Sequence, residues 1–235
     1  MTRGSESTSS VAERWLRIGT DEAGKGDYFG DLVIAGVVVN AETDEALAGI
    51  GVRDSKALAE RRARELAERI RDLAPHNIVR IGPAKYNRLH REMGNLNHLL
   101  AWGHARVIEN LLVDHDPPVA VADQFGDERF LKDALMSKGR SISLIQRTGG
   151  EADVAVAAAS ILARVTFIDR LNRLSREVGI KLPRGAVHVY GAAREIYQRG
   201  GLDLLRTVAK VHFKTTKSVV GGVGSRMQGR PAGSP

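Results

Sequence analysis

An α/β domain is predicted for this 235-residue chain by three features. Short apolar, β-branched runs recur five times along it, and helical segments separate most of them. Two of those runs also lead directly into acidic residues, at Asp21-Glu22 and at Asp123. Carboxylates at the ends of buried strands are where α/β sheets gather their ligands.

Composition narrows the chemistry. There is no cysteine, so disulfides and thiolate metal sites are excluded. Any metal must rest on oxygen or imidazole, which favours hard ions such as Mg2+ or Mn2+. A net charge of +7 and a pI near 9.9 suit a polyanionic partner, nucleic acid first. No basic-then-apolar leader and no apolar run approaching the ~20 residues of a membrane span is present, so a cytoplasmic protein without membrane contact is expected.

Residues 1–12, rich in Ser, Thr and Gly, read as a disordered lead. Trp15 to Thr20 has the mixed pattern of a half-buried strand, and Leu32 to Val39 that of a fully buried one. The stretch between them, Thr20-Asp21-Glu22-Ala23-Gly24-Lys25-Gly26-Asp27-Tyr28-Phe29-Gly30, reads as a loop opening on adjacent carboxylates. Its glycines let the backbone come close to something bulky and polar. Paired carboxylates beside exposed amides point to a divalent metal held next to a phosphate; the plain alternative is a hairpin whose acids face water. A dinucleotide fingerprint is excluded because Phe29 occupies the third glycine position and a strand follows. A Walker loop is excluded because Lys25 lies inside Gly24-Lys25-Gly26 with Asp27 after it.

Asn40 to Asp44 reads as a polar connection. Asp54 or Ser55 is placed to cap a helix over Ala57 to Leu73, and Lys56 to reach either solvent or a phosphate. Asn77 to Gly82 predicts a strand, Ala84 to His90 a short helix, and Asn95 to His115 a longer one. In the last, Leu96, Leu99, Leu100, Val107, Ile108, Leu111 and Leu112 recur at helical spacing. His98 and His104 lie on it without the i,i+4 relation of a metal pair and read as surface or packed side chains. After Pro117-Pro118, Val119 to Gly126 is a short buried strand ending at Asp123, which either serves a site or caps the helix over Glu128 to Met136. Ser141 to Gln146 alternates as the fifth strand.

Val154 to Ala163 is apolar on nearly every side, so the helix it forms must be buried before it turns amphipathic towards Val178. Glu151 and Asp153 precede it, about 200° apart around a helix, so at most one can face a common pocket. The helix dipole favours either in its ionised form, and capping is the alternative role for both. Beyond Pro183 the chain is basic with interspersed aromatics, with a short helix near Ala192 to Gln198 and then Val211 to Lys217. That mixture fits a groove contacting phosphates and sugars, or an ordinary solvated end. Residues 220–235 read as a flexible tail.

Taken together, these stretches resemble ribonuclease HIII. The loop DEAGKGDYFG, the tripeptide DSK, the helix GNLNHLLAWGHARVIENLL, the acid of VADQFG, EADVAVAAASILAR, PRGA and HFKTTKSV stand in that family's order. The resemblance implies a ribonuclease H-like fold over residues 13–219, a mixed five-stranded sheet flanked by helices with a helical C-terminal part. It implies endonucleolytic cleavage of the RNA strand of RNA–DNA hybrids with Mg2+ or Mn2+, by a monomer. The family's metal-binding, catalytic carboxylates fall on Asp21, Glu22, Asp123 and Glu151. Contacts to substrate are expected at Gly24, Lys25 and Gly26 of the glycine loop, at Lys56, and at Lys214 and Thr215 of the basic end. Three departures stand out: Asp31 follows Gly30 where the family usually has proline, the family's separate N-terminal substrate-binding domain is expected to be missing, and Asp153 lies close to Glu151 as the alternative fourth ligand. Two other activities stay open at this point, incision at a lone ribonucleotide in duplex DNA, as in ribonuclease HII, and a non-catalytic hybrid-binding module.

Overall fold

The computed structural model describes residues 16–52 and 58–227. Within them the strands are β1 (Arg17–Ala23), β2 (Leu32–Val39), β3 (His76–Ile81), β4 (Val119–Asp123) and β5 (Ser143–Arg147). The helices are α1 (Ala41–Gly49), α2 (Glu60–Leu73), α3 (Pro83–Met93), α4 (Leu96–Leu111), α5 (Glu128–Ala134), α6 (Val154–Val178), α7 (Tyr190–Val208) and α8 (Lys214–Met227). The strands form one sheet in the order β3-β2-β1-β4-β5. It is mixed, with β1 antiparallel to β2 and parallel to β4, and β4 parallel to β5. The described residues fall into two compact units, one up to Ala23 with Val33–Arg80 and Met93–Thr166, the other Gly24–Leu32 with Ile81–Glu92 and the chain from Phe167 onward. Neither is a continuous stretch, so no linker in the sequence marks them.

In the first unit, glycines set how closely helices lie on the sheet. A Cβ on Gly36 would fall 2.4 Å from Val107 Cγ1, and one on Gly103 would fall 2.6 Å from Ile34 Cδ1. These contacts press α4 onto one face of β1 and β2. On the other face Gly19 meets the start of α6, whose Val154 to Ala159 are all buried. β2 is buried along its whole length because both faces are covered, as its unbroken apolar run predicts.

Several boundaries depart from the sequence reading. Asn40 to Asp44 is not a plain connection: Asn40 caps α1, accepting from the Thr43 N–H at 2.9 Å while the Thr43 hydroxyl accepts from the Asn40 N–H at 2.8 Å. That reciprocal capping outweighs the polar composition. β1 runs on through Asp21 and Glu22 to Ala23, since all three pair with β2 opposite Ala35, Ile34 and Val33. α7 is longer than expected, with non-helical backbone at Gly200 and Gly201. α8 continues to Met227, into the stretch read as a flexible tail. Thr216 and Val219 are buried, and such packing outweighs the weak helix propensity of its glycines and serines. Lys56, with Asp54 and Ser55, lies outside the described residues, as do the lead and the end of the tail. Among the described residues no helix is long and apolar enough to cross a membrane.

Candidate active site

The acids of the first unit are placed by the pleat and by strand register. Thr20 on β1 pairs with Ala122 on β4, so Asp21 and Asp123 stand one step further along two adjacent parallel strands. Neighbours in register point to the same face, with strand axes about 5 Å apart. Asp21 Oδ1 accepts the Glu22 N–H at 2.7 Å, and its carboxylate also takes a hydrogen bond from Ser160 of α6. Asp123 Oδ1 accepts the Gly150 N–H at 2.9 Å. Gly150 opens the 3-10 turn Gly150–Ala152, and a Cβ there would lie 3.0 Å from Asp123 Cα. The turn bearing Glu151 is thus seated against the end of β4.

Asp153 has other work. It takes two hydrogen bonds from Arg17 Nε, at 3.1 and 2.8 Å, and caps α6 by accepting the Ala155 N–H at 2.9 Å. Arg17 also pairs with Asp44 of α1. Of the two acids before α6, Asp153 therefore does the capping.

Glu22, the neighbour of Asp21, projects to the opposite face, as successive strand residues must. There His104 of α4 bridges it to Thr20, with Nε2 3.2 Å from Glu22 Oε2 and Nδ1 2.9 Å from Thr20 Oγ1. A neutral ring donating to Glu22 and accepting from the Thr20 hydroxyl satisfies both contacts. Phe125, two residues beyond Asp123, stacks on His104 with ring centroids 4.9 Å apart. His104 is packed, as its sequence suggested, but its tie to Glu22 was missed. The signal was there: it shares the buried stripe of Leu100, Val107 and Leu111 that faces the strand carrying Glu22.

Electrostatically this corner is unsettled without a counter-ion. Burial, then the charge of Glu22, pushes the Asp21 carboxyl up to about 6. Among the described residues no three His, Asp or Glu side chains stand together as a ready-made cage.

In the second unit, β1 gives way to the loop at Gly24, whose φ is +88° and whose Cβ would fall 2.3 Å from the Asp31 carbonyl oxygen. This glycine is required by the fold itself, whereas Gly26 has open space around it. Lys25 and Gly26 are exposed. Tyr28 and Phe29 are fully buried, packed edge to face with centroids 4.7 Å apart. Asp31, the departure from proline, is also buried and pairs with Arg170 at 3.1 Å. Lys214 is exposed on the first turn of α8 beside Thr215, while Thr216 Oγ1 lies 2.9 Å from the Tyr28 hydroxyl.

Lys210 holds this loop and was not singled out from the sequence. Wholly buried, its ammonium donates to the carbonyls of Asp27 at 2.9 Å and Gly30 at 2.7 Å and sits over the Tyr86 ring at 5.5 Å. Burial lowers it to about 8, against the opposing pull of Asp27 and Asp31. Lys210→Met keeps the bulk and strands two carbonyls without their donor. It is expected to cost about 2–4 kcal/mol in urea unfolding; an unchanged midpoint would show that the loop does not depend on it.

The sheet order, with acids at the carboxyl ends of two adjacent parallel strands, defines an α/β domain of ribonuclease H-like fold. The ribonuclease HII family profile matches residues 18–216. Ribonuclease HIII of Protochlamydia amoebophila is 47% identical over 88% of this chain and 69% of its own length. That of Chlamydia abortus is 43% identical over 85% of this chain and 68% of its own. The crystal structure of Bst ribonuclease HIII in complex with Mn2+ superposes with a TM-score of 0.82 at 31% identity, covering 94% of this chain and 75% of that one. The chain belongs to the ribonuclease HII family, on its ribonuclease HIII side.

Proposed function

We propose that this protein is an endoribonuclease that hydrolyses the RNA strand of RNA–DNA hybrids with two divalent cations, Mg2+ or Mn2+, held by Asp21, Asp123 and Glu151. Glu22, which leaves the end of β1 on its other face but lies near enough for its charge to act on Asp21, completes the set. The products carry 3′-hydroxyl and 5′-phosphate ends, and the enzyme works as a cytoplasmic monomer. The observation that carries this reading is the register of Thr20 with Ala122, which puts Asp21 and Asp123 one step further along two adjacent parallel strands, with Gly150 of the turn that bears Glu151 donating to Asp123. The donor set fits a hard cation: it is all oxygen, and burial and the charge of Glu22 raise the Asp21 carboxyl.

Bound there, such ions lower the pKa of water and neutralise charge gathering at phosphorus and on the departing oxygen. The rest falls to the chain. Ser160 and the Glu22 amide orient Asp21, the Gly150 amide orients Asp123, and His104 fixes Glu22. Selectivity for RNA rests on the 2′-hydroxyl. The amides of the Gly24-Lys25-Gly26 loop read it, chiefly the exposed Lys25 and Gly26, while the Lys25 ammonium meets a neighbouring phosphate. Lys56, Lys214 and Thr215 add backbone contacts.

The test is cleavage of strand-labelled hybrid, all-DNA and single-ribonucleotide duplexes with Mg2+, with Mn2+ and with chelator. The expected result is scission of the RNA strand in hybrid, lost on chelation. Cutting without metal, or of DNA, would overturn the reading. Preference for the single-ribonucleotide duplex would replace it with the ribonuclease HII-type activity.

A further inference from the structure

We propose that a pocket of about 320 Å3 on the second unit, between α3 and the chain leaving α7, binds a backbone phosphodiester of nucleic acid through Arg88, Arg91 and Arg206. It uses none of the residues assigned above to catalysis or to substrate contact, and it rests on the reading of the protein as a nucleic-acid enzyme.

The floor of the pocket is built. The Asn87 amide donates to the carbonyls of Arg206 at 3.2 Å and Ala209 at 2.9 Å, and its oxygen accepts the Val211 N–H at 3.0 Å. These hydrogen bonds fix α3 to the chain at and beyond the end of α7. Beside it His90 and His212 stack with centroids 4.1 Å apart and planes 18° apart, and His212 stacks in turn on the buried ring of Tyr86. Burial first, then His90 and Lys210, lowers His212 to about 4, so the rings offer neutral faces and edges at neutral pH. The positive charge comes from the guanidinium groups.

Among the described residues no carboxylate lines this pocket. Among the described residues Arg88 pairs with Glu92 at 3.9 Å, and Arg206 pairs with Asp203, whose side chain is 93% exposed. Exposed pairs of this kind contribute little and exchange readily for a better partner. Three guanidiniums around a common hollow repel one another, and their donor forks match phosphate oxygens two at a time. A net charge of +7 supplies the long-range attraction for a polyanion.

The experiment measures equilibrium binding of RNA–DNA hybrid to the full chain in chelator, where nothing is cut, across a salt series. Arg88→Gln/Arg91→Gln is expected to bind about ten-fold more weakly near 0.1 M salt and to lower the slope of log K against log salt by about 1–2. Arg173→Gln/Arg199→Gln removes the same charge from exposed i,i+4 pairs outside the pocket and should keep the wild-type slope. In parallel, the imidazole NMR signals of His90 and His212 are followed as hybrid, inorganic phosphate or polyglutamate is added, and hybrid should move them. Equal slope losses in both double variants would reduce the effect to bulk charge and overturn the site. Signals that respond only to inorganic phosphate, or only to polyglutamate, would overturn it in favour of a free-anion or an acidic-protein site. If wild type binds and cuts hybrid while the pocket variant keeps its slope, the pocket alone falls. A wild type that neither binds nor cuts removes the functional reading and this site with it.

Discussion

Asp21→Asn is expected to abolish hybrid cleavage and, at the same time, to stabilise the metal-free protein at neutral pH. Both effects come from the same placement. Asp21 sits on a buried strand with Glu22 next to it, and burial plus that neighbouring charge raise its carboxyl from 3.8 to about 6. Its folded-state value lies above its unfolded one. The associated stability is therefore full below about pH 4 and is lost as pH rises through about 6. At pH 7 the ionised Asp21 costs the folded metal-free chain up to about 3 kcal/mol. Asparagine keeps the size and an oxygen to accept the Glu22 N–H, and it carries no charge. The variant should then melt about 5–10 °C above metal-free wild type at pH 7. The gap should close towards pH 4, where wild-type Asp21 is protonated. Turnover should drop at least about a thousand-fold, some 4 kcal/mol of barrier, because a neutral amide does not hold a cation against phosphate. Hybrid binding should survive, which distinguishes a disabled nuclease from a pure binding module. A variant that cuts at near wild-type rate would remove Asp21 from the mechanism. One that melts at the wild-type temperature at every pH would remove the electrostatic account.

Much of this arrangement was legible in the residues, and its losses have identifiable causes. β2 could be read because a strand covered on both faces must be apolar throughout, as Leu32 to Val39 is. The end of β4 at Asp123 could be read because the acid closes a short apolar run. What could not be read depends on partners distant in sequence. Two acids and a glycine argue against a strand at Asp21-Glu22, yet Ala35 and Ile34 on β2 hold them in one. The tie between His104 and Glu22 spans 82 residues and exists only once α4 lies on β1. Asp31 looked like an anomaly without its partner, and Arg170 lies 139 residues away. The capping role of Asp153 rests on Arg17, which lies 136 residues away and which no local spacing connects to it. Asn40 is the exception: its cap is local, and the Thr three residues on was a readable sign that the polar stretch begins a helix.

Gly19→Ala is expected to be the most damaging single methyl group in the chain, and to harm catalysis beyond its effect on folding. A Cβ at Gly19 would lie 2.2 Å from the carbonyl carbon of Ala155 and 2.3 Å from the amide nitrogen of Val156. These are backbone atoms in the first turn of α6, so no rotamer change relieves the clash, and either the helix or the strand must shift. The helix start is tied down twice. Asp153 caps Ala155, and the same carboxylate pairs with Arg17, two residues before Gly19 on β1. Moving α6 away loosens a largely buried ion pair and a cap together with the packing, for about 3–5 kcal/mol. It also drags the preceding turn, Gly150–Ala152, whose first amide holds Asp123. Cleavage measured well below the melting point should therefore fall by more than the unfolded fraction explains. Gly49→Ala is the matching control: it lies in α1 with nothing within 4 Å of its added methyl. That change should leave activity alone and raise stability by about 0.5–1 kcal/mol. If Gly19→Ala melted like Gly49→Ala, strand β1 and helix α6 would not be in the close contact that positions Asp21, Asp123 and the turn before α6.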